Sequence, residues 1–132
     1  MNIKQFEKAL LYFCKQNDIK AYTYESASRA LEACGLSSLA EEAPALCLRN
    51  RPRPSSQATD YIFYEKGCSR ESRTYSICQE LGHILLGHLD GNTKLSVDKK
   101  EAEANIFASV LMAQLVFSSI LELDNLERQA LP

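Results

Sequence analysis

Ser76-Ile77-Cys78-Gln79-Glu80-Leu81-Gly82-His83-Ile84-Leu85-Leu86-Gly87-His88 is the stretch whose reading decides the fold. Ile77, Leu81, Ile84 and Leu85 recur at three- and four-residue steps, and Cys78, Leu86 and Leu89 widen that stripe. This predicts a helix over about Ser72–Leu89 that is apolar nearly all round and therefore buried. Gln79 and His83 lie at i and i+4 on one face, with Glu80 beside them. Polar groups on a buried helix need hydrogen-bond partners or a metal. The spelling is one residue away from H-E-x-x-H, in which two imidazoles one turn apart bind a metal and the intervening Glu acts as general base. Taken alone, the residues leave two readings open: a structural helix with an internally bonded Gln79-Glu80-His83 cluster, or a working or former metal site.

Downstream, Asp90-Gly91-Asn92-Thr93 breaks the helix, and Asp98-Lys99-Lys100-Glu101 has the form of a capping box opening another. On this second helix Ala104, Ala108 and Leu111 form a small-residue face suited to close helix approach, with Glu101 and Asn105 on its border. Ser119-Ile120-Leu121-Glu122 reads as the cap of a last short helix. Upstream, Ala45–Arg49 and Asp60–Glu65 are β-compatible runs separated by Arg51-Pro52-Arg53-Pro54-Ser55-Ser56, a loop by composition, which implies a small antiparallel sheet. Ile3, Phe6, Leu10 and Phe13 predict a helix over about residues 2–16. A second helix is expected from Ser26 to Cys34, capped by Gly35, and a short turn from a capping box at Ser38–Glu41.

The chain has 132 residues, enough for one domain with its own core. A formal net charge of -2 supplies no global basic field, which argues against direct binding of nucleic acid. The N-terminus has no apolar run of the signal-peptide kind, and no uncharged apolar run is expected to reach the roughly 18 residues that span a bilayer. Together these predict a cytoplasmic protein without a membrane segment. Five cysteines, odd in number and without a C-x-x-C pair, fit reduced thiols better than disulfides or a zinc knuckle. The expected fold class is α+β in a single domain over 1–132. It comprises a helical lead-in (1–45), a small antiparallel sheet (46–65) packed against helices, a buried H-E-x-x-H-like helix (72–90) and C-terminal helices (99–130), the first bearing a ligand.

Gln79-Glu80-Leu81-Gly82-His83-Ile84-Leu85-Leu86-Gly87-His88, followed by Glu101-Ala102-Glu103-Ala104-Asn105-Ile106-Phe107-Ala108-Ser109-Val110-Leu111-Met112, resembles the ImmA/IrrE family of zinc metallopeptidases. The family pattern is roughly H-E-L-G-H-x-L-L-H, then E-x-x-A-N-x-F-A-x-x-L-L-M-P. The likeness is close over residues 72–112 and generic over 1–45. It implies a gluzincin-like α+β fold with zinc held by two helix histidines and a later Glu. By position, His83 is the second imidazole ligand, Glu80 the general base and Glu101 the third ligand, with Glu103 a neighbouring candidate. Glu101 has an alternative role as the capping-box carboxylate answering Asp98. Such proteins regulate mobile-element or stress-response genes by cleaving a repressor, so the implied partner is a regulatory protein such as a transcriptional repressor.

The departures from that pattern are specific. Gln79 occupies the first ligand position, and a neutral amide oxygen is a much poorer zinc ligand than imidazole. Ala113 replaces the closing Pro. His88 lies five residues beyond His83, about 140° round a helix, so it does not stand in for the missing ligand. Cys68 or Cys78 could bring a thiol to the site. The expectation is a degenerate zinc centre.

Overall fold

A computed structural model of the chain describes residues 1–27, 29, 32 and 43–130. The helix expected over Ser26–Cys34 falls largely outside the described residues, and the capping box at Ser38–Glu41 falls wholly outside them. Helix α1 (Ile3–Gln16) starts at Asn2, whose side chain accepts from the Gln5 N–H while the Gln5 side chain answers the Asn2 N–H. That reciprocal pair satisfies two donors a helix start otherwise leaves orphaned. The chain reverses at Asp18, which takes a φ of 58°, and runs straight into β1 (Ile19–Thr23).

The hairpin β2 (Ala45–Asn50) and β3 (Thr59–Tyr64) is antiparallel, as the sequence predicts. β1 adds to it in parallel, giving a three-stranded mixed sheet in the order β1-β3-β2. Register fixes which residues face the helices. Cys47 stands opposite Ile62 and Leu46 opposite Phe63, so Ile62 joins the main core while Phe63 packs on the other face with Ala27, Tyr24, Leu46, Leu48 and Tyr61. The main core holds Leu10 and Cys14 of α1, Ile19, Ile62 and Ala108 together with four residues of the motif helix.

That helix, α2 (Arg70–Leu85), begins two residues earlier than expected because Ser69 caps it, its hydroxyl accepting from the Ser72 N–H. It also ends earlier. Leu86 is its C-cap and Gly87 follows with φ 75°, the left-handed conformation that glycine adopts at no steric cost. The buried stripe is Ile77, Cys78, Leu81 and Ile84, whereas Leu85 and Leu86 are nearly half exposed. An ion pair ties α1 to α2: Arg73 donates from Nε and Nη2 to the two carboxylate oxygens of Glu7, at 2.7 and 3.0 Å.

Helix α3 (Val97–Ala130) is one continuous element of 34 residues, not two. It is capped by Ser96, whose hydroxyl accepts from the Lys99 N–H, so Asp98 is not the cap and Glu101 is not its capping-box partner. Ala104 and Ala108 are fully buried against α2, the small-residue contact the sequence predicts. Gly82 completes it: a Cβ there would lie 2.9 Å from Cδ1 of Phe107. One expectation is corrected. An 18-residue window of α3 has a mean hydropathy of 1.9 and is 6% buried, so this helix is long and apolar enough to cross a membrane by length and composition. Ala104 to Leu121 carries no charged side chain; dispersed Asn, Ser and Gln hide that run from a search for continuous apolar sequence. Its outer face exposes Ile106, Val110, Val116, Phe117, Ile120 and Leu121.

Candidate metal centre

The site forms where the last turns of α2 face the first turns of α3. His83 Nε2 lies 3.1 Å from Oε1 of Glu101. Two donors at zinc bond lengths and a tetrahedral angle stand about 3.4 Å apart, so this pair has the spacing of two ligands of one ion. Of the two carboxylates open at this position, Glu101 is the one that reaches His83. Glu103 turns instead to His88, with 2.7 Å between its Oε1 and Nε2. His83 itself is only 11% exposed in its side chain, while Glu101 is 58% exposed and gives the site its open side.

Glu80 is half-buried behind this pair and accepts from both the thiol and the backbone N–H of Cys47. Burial pushes its carboxyl above the ordinary carboxylate value. The Cys47 thiol and His83 pull the other way, and the Glu101 charge pushes it further up. The thiol responds in kind: burial first, then the charge and hydrogen bond of Glu80, hold Cys47 well above the usual thiol range. Cys47 is the thiol at this site. Cys78 is fully buried in the core, with its thiol pushed up to about 12 by desolvation, and Cys68 donates to the Glu65 carbonyl. Strand alternation could have shown that Cys47 faces the helices, but not that Glu80 is the group it meets.

His88 behaves differently from its helical projection. Because α2 stops before Gly87, the chain folds back so that the His88 N–H donates to the His83 carbonyl at 2.9 Å. Its ring then sits edge-on to that of His83, with Nδ1 to Nδ1 at 2.8 Å and a side chain 1% exposed. Its two ring nitrogens are engaged by His83 and Glu103.

Gln79 projects from the same face as His83, but its amide N–H donates to Oδ1 of Asn105 on α3. Among the described residues, no three His, Cys, Asp or Glu side chains are set out to hold one ion. A catalytic zinc takes three protein ligands, and here two donors converge while the third position carries an amide. The residues present therefore do not fit a three-ligand zinc centre.

A small mixed sheet, a buried helix spelling Q-E-x-x-H and a second helix placing Glu101 on that histidine define a metallopeptidase-type α+β fold. The family model described as peptidase M78, IrrE N-terminal-like domain, matches residues 37–118, more than half of the chain, and the chain belongs to that family. Comparison with curated proteins and with solved structures finds no match.

Proposed function

We propose that this chain is a metallopeptidase-fold module with a degenerate zinc centre, and that it binds a regulatory protein, of the transcriptional-repressor class, without cutting it. The observation that carries this reading is the fate of residue 79. Its amide is engaged with Asn105, so the face that should present two imidazoles presents one, beside Glu101. The partner class comes from the resemblance of the two motif helices to the ImmA/IrrE pattern. Zinc, in family members that hold it, supplies an activated water. In this chain Glu80 accepts from Cys47, and burial raises its carboxyl above the ordinary carboxylate value.

A second reading, an endopeptidase working with an incomplete ligand set, is favoured by the 3.1 Å approach of His83 to Glu101 and the retention of Glu80 beside them. The two are separated by incubating the purified protein, with added zinc, against a panel of purified transcriptional repressors. The binding module predicts a stable complex by size-exclusion chromatography and an intact repressor by mass spectrometry. Cleavage by the unaltered protein would establish the second reading, and the absence of any complex would remove the first.

A further inference from the structure

Helix α3 packs inward through Ala104 and Ala108, which are fully buried, and through Phe107 and Leu111. Its opposite side carries a second apolar row, about half a turn round the axis. Ile106, Val110, Ala113, Phe117 and Ile120 follow one another there at steps of four, three, four and three residues. That alternation averages 3.5 residues, the repeat of a coiled-coil seam. Ile106, Val110, Phe117 and Ile120 are 64, 56, 62 and 54% exposed, so the outer row is as open as the inner one is closed. A shallow groove of about 350 Å³ runs along it, lined by Asn105, Ile106, Ser109, Val110 and Ala113. Continued by the same steps, the row reaches Glu103 and Lys99 at one end and Asp124 and Glu127 at the other.

We propose that this face is the interface of a homodimer, in which α3 of one copy lies antiparallel on α3 of a second. The alignment that seats Val110 on Ala113 of the second copy also seats Ile106 on Phe117, so that the groove receives the large ring. It brings Lys99 opposite Asp124 at each end, and both are exposed. Glu103 falls opposite Ile120, but its carboxylate is already engaged by His88 at 2.7 Å. Asp124 is met by Arg128 of its own helix at 3.2 Å, an exposed pair of small energetic weight. A parallel alignment would instead set Lys99 against Lys99 and Asp124 against Asp124. Charge along the row therefore selects the antiparallel arrangement.

The area available suits such a pair. Ile106, Val110, Val116, Phe117, Ile120 and Leu121 would each lose on the order of 100 Å², roughly 600 Å² per copy and 1,200 Å² in all, which reaches the size of specific protein interfaces. A bilayer is the other apolar medium that this helix suits by composition, and packing decides against it. The uncharged run begins at Ala104, and both Ala104 and Ala108 sit against α2, where Gly82 leaves no room for a Cβ beside Phe107. Crossing a membrane would strip that contact. The remainder of the run, Met112 to Leu121, is about 15 Å long, half of the roughly 30 Å hydrocarbon core. A second helix needs only the outer face.

Sedimentation equilibrium of the full chain in the presence of a chelator, at concentrations up to about 100 µM, should show twice the mass of one chain at the upper end. Val110→Glu and Phe117→Glu each put a charge into the row at an exposed position. Both variants should keep the far-ultraviolet circular dichroism of the unaltered protein and associate at least about tenfold more weakly. Orientation is read by zero-length carbodiimide coupling, which joins a lysine to a carboxylate in direct contact. Lys99 and Asp124 of one chain stand about 38 Å apart along the helix, so a peptide linking them can come only from two copies. The dimer should yield that peptide by mass spectrometry. A monomer at every concentration would overturn the proposal, as would a dimer that survives both substitutions or one that gives no Lys99–Asp124 link. So would a monomer that cosediments with phosphatidylcholine vesicles, which would give the face to lipid.

Discussion

Replacing Glu7 with alanine should cost about 2–4 kcal/mol and loosen α1 from the motif helix. Glu7 receives two hydrogen bonds from Arg73, at 2.7 and 3.0 Å, and both side chains are 13–14% exposed. A charge-assisted hydrogen bond contributes roughly 1.5–3 kcal/mol, and removing one partner leaves the other charge partly buried without its counter-ion. Since that second effect inflates each single substitution, the double-mutant cycle Glu7→Ala, Arg73→Ala is the cleaner measurement. It should return a coupling of about 1.5–3 kcal/mol by urea denaturation at pH 7.

The same cycle carries a pH signature. Burial alone would raise the Glu7 carboxyl, but the Arg73 hydrogen bonds and charge, with Arg70 and Thr74, outweigh it and hold the group below its ordinary value of 4.5. A carboxyl depressed in the folded state contributes stability that is fully present above the unfolded value and is lost as pH falls through the folded one. The coupling should therefore be constant from pH 7 down to about 4.5 and shrink below it. A coupling under about 0.5 kcal/mol at pH 7, or one that does not fall in acid, refutes the reasoning.

Gly82→Ala tests the close approach of α2 and α3. Alanine gains about 1 kcal/mol of helix propensity, but its Cβ would meet Cδ1, Cγ and Cβ of Phe107 at 2.9, 3.1 and 3.2 Å, and overpacking of this kind costs about 1–3 kcal/mol. A net loss of about 1 kcal/mol is expected, and a higher unfolding midpoint would contradict it. Cys47→Ala removes a thiol that donates to Glu80 and lowers its proton affinity, so the carboxyl, already raised by burial, should titrate higher still in a carbon-13 experiment. A carboxyl raised in the folded state favours folding more as pH falls, which gives this group the opposite sign to Glu7. A downward move of Glu80 would show that the thiol is not its partner.

The motif helix is legible in the sequence because its signal is local and strong. A stripe at 77, 81 and 84 demands burial, and Gln79, Glu80 and His83 cannot share a buried helix without partners. The antiparallel hairpin is equally plain from the Arg/Pro loop between two β-compatible runs. β1 is not: five residues with only Ile19 fully buried pair in parallel with a strand about forty positions away, and nothing local announces that partner. The start of α3 shifts by two residues from its expected place because Ser96 and Asp98 both suit an N-cap, and only the bond to Lys99 decides. Within the site, the ImmA/IrrE-like pattern puts Glu101 on His83, yet the roles of His88, Glu103 and Cys47 escape it. Each depends on a backbone turn or a strand register, at Gly87 and in β2, that changes which side chains meet without changing the motif.

Zinc content is the most direct measurement of whether this pocket is a decayed metal centre. The unaltered protein and its Gln79→His variant, each equilibrated with zinc, freed of excess by gel filtration and analysed by mass spectrometry for metal, should differ sharply. The account predicts well under one zinc per chain for the unaltered protein and close to one for the variant, in which the introduced imidazole joins His83 and Glu101 to restore three ligands. Stoichiometric zinc in the unaltered protein would contradict the claim that Gln79 disables the site, and zinc in neither would contradict the claim that His83 and Glu101 are what remains of it.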